Sequence, residues 1–138
     1  MCLFTKESKP SQATEDIKCY KVYLFRHGDC YSPCFETTIP NFGQYINTKL
    51  GAALSSEGEN IYSVNEGFHS FKFLPDAEKF STYYNRFTNF LIVECIIPKG
   101  SFYYEGFIAD SSNYCSDTII LNKVVYSSKD FGIIYYHH

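Results

Sequence analysis

The chain has 138 residues, 45% of them hydrophobic and 20% charged, with 12 Lys plus Arg against 15 Asp plus Glu for a net charge of -3. That length predicts one domain around one core. The charge balance excludes nucleic-acid binding by bulk phosphate neutralisation, and no apolar run of about 18–20 residues offers a membrane span.

Residues 1–16 are polar after a short apolar start and include Pro10, Ser11 and Gln12. They read as an irregular N-terminal arm, with residues 17–138 as a single domain. Ile17 to Phe25 (IKCYKVYLF) is β-branched and aromatic on both alternating faces, the pattern of a central strand. Arg26-His27-Gly28-Asp29 follows as a turn. Cys30 to Leu50, with Pro33, Pro40, Asn41 and Gly43, reads as loop with short strand pieces. Gly51 to Asn60 (GAALSSEGEN) is small and polar and reads as a mobile loop. Gly67 to Phe73 (GFHSFKF) alternates Phe68, Ser70 and Lys72 against His69, Phe71 and Phe73, as a half-buried strand does.

The spacing predicts one helix over about 75–87. Pro75 suits a first helical turn, Asp76 and Glu78 complement its positive end, and Ala77, Phe80, Tyr84 and Phe87 share a face. Phe90 to Ile97 (FLIVECII) is a second central strand, stopped by Pro98 and Gly100. Ser101 to Phe107 reads as a further strand, Ile108 to Asn113 as loop, Thr118 to Tyr126 as strand and Gly132 to Tyr136 as a last short one. About six strands and one helix make an α+β domain, a mainly antiparallel sheet with the helix packed on it.

The six cysteines are Cys2, Cys19, Cys30, Cys34, Cys95 and Cys115. With no secretory signal in the first residues, reduced thiols in a cytoplasmic setting are expected. Cys19 and Cys95 lie in apolar runs and read as small buried hydrophobes. The spacing of His27, Cys30 and Cys34 matches no paired zinc knuckle, so neither a metal nor a cofactor is expected. His69 and Ser70 point to opposite faces of their strand and cannot pair as base and nucleophile. No P-loop, dinucleotide fingerprint, G-x-S-x-G or H-E-x-x-H occurs. Pro98-Lys99-Gly100-Ser101 is a turn in which backbone N–H groups and Lys99 would hold an anion, with Tyr103 and Tyr104 free to stack; the bland alternative is a turn with a solvated lysine. The 13 Tyr and 13 Phe fit either an interface, where Tyr offers area at little entropy cost, or AT-rich coding alone.

The pieces Cys19-Tyr20-Lys21-Val22, Glu66 to Phe71 (EGFHSF), Glu94 to Gly106 (ECIIPKGSFYYEG) and Tyr114 to Ile120 (YCSDTII) resemble a family of small proteins of gut Bacteroidales, their phages and mobile elements. The likeness runs from about residue 17 to 121. It implies an intracellular, mobile-element setting and assigns no activity. Separately, Tyr23 to Gly28 (YLFRHG) looks like the first-strand motif of the ADP-ribosyltransferase fold, and Gly67 to Phe71 like its aromatic and serine motif. That resemblance implies NAD as substrate, with Arg26 or His27 on the dinucleotide and Ser70 nearby. The catalytic Glu with its usual partner two residues earlier has no counterpart in this sequence.

These readings give three expectations. The first is a non-enzymatic binding protein of phage or mobile-element origin, acting in counter-defence by sequestering a nucleotide-like ligand or a host protein. Its expected contacts are Arg26, His69, Lys99, Tyr103 and Tyr104. The second is an ADP-ribosyltransferase-like enzyme, and the third a virion-associated or accessory structural protein.

Overall fold

In the computed structural model the described residues are 3–26, 29–31, 43–46, 49–55, 58, 60–84 and 89–127. In chain order the strands are β1 (Leu3–Thr5), β2 (Ser11–Gln12), β3 (Ile17–Arg26), β4 (Asp29–Tyr31), β5 (Gly43–Ile46), β6 (Gly51–Leu54), β7 (Tyr62–Glu66) and β8 (Phe68–Phe71). The helix α1 (Leu74–Tyr84) follows, then β9 (Asn89–Ile97), β10 (Phe102–Ile108), β11 (Ser111–Ser116) and β12 (Thr118–Ser127). Among the described residues the twelve strands form one sheet in the order β5-β12-β9-β3-β8-β11-β10-β1-β7-β6, with β2 added to β10 and β4 to β3. Every pairing is antiparallel. The architecture is the expected α+β one, a mainly antiparallel sheet carrying one helix.

The centre of the sheet is the β3–β9 ladder, in register from Ile17 opposite Ile97 to Phe25 opposite Asn89. Apolar residues on both faces of these strands bury against two different clusters. One face supplies Cys19, Tyr23, Leu91, Val93, Cys95 and Ile97 to a core that also takes Tyr114, Ile119 and Leu121. The other supplies Val22, Leu24, Phe90 and Ile92, which α1 covers with Ala77 and Phe80. A third cluster, Leu3, Val64, Tyr104 and Cys115, closes the β1–β7–β10 end.

The helix begins as predicted, with Pro75 in its first turn and Asp76 near its N-terminus; Asp76 and Ala77 donate their N–H groups to Phe73 O. The turn of Arg26 to Asp29 is flanked by the β3–β4 pairing of Arg26 with Asp29; His27 and Gly28 lie outside the described residues, as do Phe87 and Gly132 to Tyr136.

Four expectations are overturned. The N-terminal stretch is not an irregular arm: β1 sits between β7 and β10, with Leu3 and Thr5 buried. Its three residues are too few to show a period. Within 51–60, Gly51–Leu54 is an edge strand on β7, stabilised by pairing and not by its own propensity. Within 108–113, the turn is confined to Ala109 and Asp110, Ala109 taking a left-handed φ of 52°, and β11 starts at Ser111. Its polar sequence, Ser-Ser-Asn-Tyr-Cys-Ser, hides a strand buried between β8 and β10. Finally, β8 is not half-buried. It lies between β3 and β11, so His69 and Ser70 are both buried although they face opposite ways.

Candidate functional site

The five residues expected to form one binding site do not converge. Arg26 ends β3 at the Phe25–Asn89 end of the central ladder, whereas Lys99 follows β9 beyond the Ile17–Ile97 end. At about 3.4 Å per residue those ends are about 30 Å apart, so the two cations cannot neutralise one small anion. The side chain of Arg26 lies outside the described residues. Lys99 is exposed, and its backbone N–H donates to Asp16 Oδ1 at 2.8 Å, so a carboxylate already occupies the turn.

Tyr103 and Tyr104 alternate to opposite faces of β10. Tyr103 meets Tyr114 edge-on, with ring centroids 5.8 Å apart. Tyr104 is buried beside Leu3 and Val64, with its hydroxyl directed at Ser8 O at 3.5 Å. Burial raises the phenol pKa of Tyr104 above its ordinary value. The buried Tyr104 ring is closed to a stacking ligand.

His69 and Tyr104 do share a neighbourhood: Cys115 lies opposite His69 across β8–β11 and opposite Tyr104 across β10–β11. It is core and not cleft. His69 Nε2 lies 3.1 Å from Val64 O, which requires the proton on Nε2 and leaves Nδ1 as the acceptor, 3.8 Å from Cys115 Sγ. The Cys115 thiol also reaches Glu66 O at 3.4 Å. Burial pushes the His69 pKa down to about 4; the Val64 carbonyl opposes the shift and the Lys21 ammonium reinforces it. At neutral pH this imidazole is an uncharged structural hydrogen-bonding group.

The residues singled out for the transferase resemblance are also dispersed. Ser70 is buried on the face opposite His69, and no hydrogen-bond partner meets its Oγ. Glu94 is held between Lys18, Lys123 and Asn122 at 3.6, 3.9 and 3.2 Å. Glu105 pairs with Lys72 at 2.8 Å, and its carboxylate holds the Lys72 pKa above the usual lysine value.

A cleft does open elsewhere. Between α1 and the β10–β11 turn lies a cavity of about 370 Å³, lined by Phe71, Asp76, Lys79, Phe80, Ile108 and Asp110 among others. The helix-start signal places Asp76 in its lining, and helical spacing puts Lys79 and Phe80 one turn on. Phe71 and Phe80 form the wall, their centroids 5.4 Å apart. The left-handed Ala109 turn presents Asp110 to Lys79, whose Nζ donates to Asp110 Oδ2 at 2.9 Å. Each charge favours its partner's ionised form, so the Lys79 pKa rises and that of Asp110 falls. Asp76 and Asp110 outnumber Lys79, so the charged residues lining the cleft sum to one negative charge. Sequence reasoning missed this site because its parts come from two distant segments; the only local signal was the Phe80 helix face, which read as core.

Two further features are buried. Cys19 and Cys95 sit opposite each other across β3–β9, both fully buried. Burial and the neighbouring Cys19 thiol raise the Cys95 pKa well above the ordinary value. Lys21 is also buried, its Nζ donating to His69 O at 2.7 Å and lying 5.6 Å from the Tyr23 ring. Among the described residues no group of three or more His, Cys, Asp or Glu side chains is gathered as a metal site, and no helix is long and apolar enough to cross a membrane. Comparison with protein-family models, curated proteins and solved structures finds no match to this chain.

Proposed function

We propose that this chain is a non-catalytic binding protein that grips another protein at the cleft between α1 and the β10–β11 turn. The observation that carries the reading is the composition of that cleft, lined by apolar Phe71, Phe80 and Ile108 and by Asp76 and Asp110 against the single cation Lys79. Such a cavity accepts one apolar side chain and favours a Lys or Arg beside it in the partner. The same carboxylates disfavour a nucleotide-like anion, and the separation of Arg26 from Lys99 removes the bidentate neutralisation such a ligand needs. In the mobile-element setting implied by the family resemblance, the partner would be a host protein and the outcome counter-defence.

The test is an affinity capture from bacterial lysate with the wild-type chain and an Asp76→Lys, Asp110→Lys variant, each checked for folding by circular dichroism. A partner held by the wild type and lost by the charge-reversed variant supports the reading. Equal capture by both chains, or a nucleotide-like mass released from the purified protein on denaturation, overturns it.

A further inference from the structure

The face of β3 and β9 turned away from α1 buries an ammonium group beside two thiols. Lys21 is 5% exposed, and among the described residues no carboxylate pairs with it. A buried cation without an anion is costly, because one hydrogen bond to His69 O does not replace its hydration. Cys19 lies two residues before Lys21 on the same face, and Cys95 directly faces Cys19 in the ladder. Directly opposed Cβ atoms in an antiparallel pair are about 4.5–5.5 Å apart, so the two sulfurs can converge on a single atom between them. The Cys95 thiol donates to Val93 O at 3.4 Å. Ser70 supplies a second, independent observation. β8 pairs with β3 with Phe71 opposite Tyr20, so Ser70 stands opposite Lys21 on the face that carries Cys19; its Oγ is buried and meets no hydrogen-bond partner. A hydroxyl in that position is suited to donate to a thiolate, a stronger acceptor than a neutral thiol.

We propose that Cys19 and Cys95 form a two-coordinate site for a soft monovalent metal ion of the Cu(I) class, with Lys21 as its buried counter-charge and Ser70 as a donor to the ligating sulfur. Thiolate ligands select soft ions such as Cu(I). On binding, each thiol releases one proton and forms one sulfur–metal bond; no electron is transferred. Two thiolates, one monovalent ion and one ammonium sum to zero, which is the charge this apolar pocket tolerates. A divalent ion would leave one net positive charge buried, and zinc would lack two of its four ligands. Val93 and Ile97 flank Cys95 on the same face of β9 and Leu121 stands opposite it on β12, all buried.

The experiment uses the full chain with Cys2, Cys30 and Cys34 replaced by Ser, leaving Cys19, Cys95 and Cys115. The protein is refolded anaerobically from guanidinium with Cu(I), so that burial does not limit entry, and then challenged with a chromogenic Cu(I) chelator. We expect one Cu(I) retained per chain, with a thiolate-to-copper absorption in the near ultraviolet. Retention and absorption should vanish in Cys95→Val, chosen for its similar volume, and persist in Cys115→Ser. In Lys21→Met the affinity should fall about 10- to 100-fold, the range seen when groups supporting a metal ligand are removed. If Cys95→Val fails to fold, Lys21→Met and a mass-resolved copper stoichiometry carry the test. No Cu(I) held against the chelator, or the same affinity in Lys21→Met, overturns the proposal.

Discussion

Lowering the pH should destabilise this protein through His69. The residue is 4% exposed and its pKa is pushed down to about 4, against an ordinary value of 6.5. The unfolded chain therefore takes up the proton first. Stability is whole above pH 6.5, falls as the pH drops below it, and stops falling from this cause below about 4. The full difference of 2.5 pH units corresponds to about 3 kcal/mol, of which about 2 kcal/mol is lost between pH 7 and 4.5. That is a large fraction of the 5–15 kcal/mol typical of a domain. The cost has a visible source: a protonated ring would be a buried charge repelled by the Lys21 ammonium, and would leave Nδ1–H facing Cys115 Sγ. The assay is guanidinium unfolding at both pH values for wild type and His69→Gln. The substituted amide still donates to Val64 O but does not titrate, and the other histidines and the carboxylates contribute equally to both chains. The variant should therefore lose about 2 kcal/mol less than wild type over this interval. Identical losses, or a His69 imidazole titrating near 6.5 by NMR in the folded protein, would refute the reasoning.

Other expectations follow from packing. At Gly106 a Cβ would overlap the Phe4 carbonyl, so Gly106→Ala should push β1 off β10 and lower the unfolding midpoint by an amount set by overpacking, about 1–3 kcal/mol. Gly67 has φ of +132° and would place a Cβ 2.6 Å from Cys115 Sγ, so Gly67→Ala should be at least as damaging in the same assay. Ile92 is fully buried beneath α1, and Ile92→Ala should cost about 2–5 kcal/mol in chemical denaturation. Glu94→Gln removes both the Lys18 and Lys123 pairs; because those lysines are exposed, the loss should stay within about 1 kcal/mol and shrink in high salt.

The sequence alone determined the centre of this sheet. In β3 and β9, β-branched, aromatic and cysteine side chains occupy both alternating faces, and only a strand buried on both sides can use such a pattern. It also determined α1, where Pro75, Asp76 and the Ala77–Phe80 spacing agree with one another. What it could not determine was anything that depends on a neighbour. β6 and β11 have weak or polar patterns, and they are strands because β7, β8 and β10 satisfy their backbone groups. His69 was legible as a candidate but not as core, since its burial comes from β11 and β7 closing over it. Arg26 and Lys99 were legible as cations, but only strand register sets them at opposite ends of the sheet. The cleft beside α1 and the Cys19–Cys95 pair with Lys21 are likewise products of tertiary structure. Side-chain type is local information, whereas proximity between residues dozens of positions apart exists only once the ladders have formed.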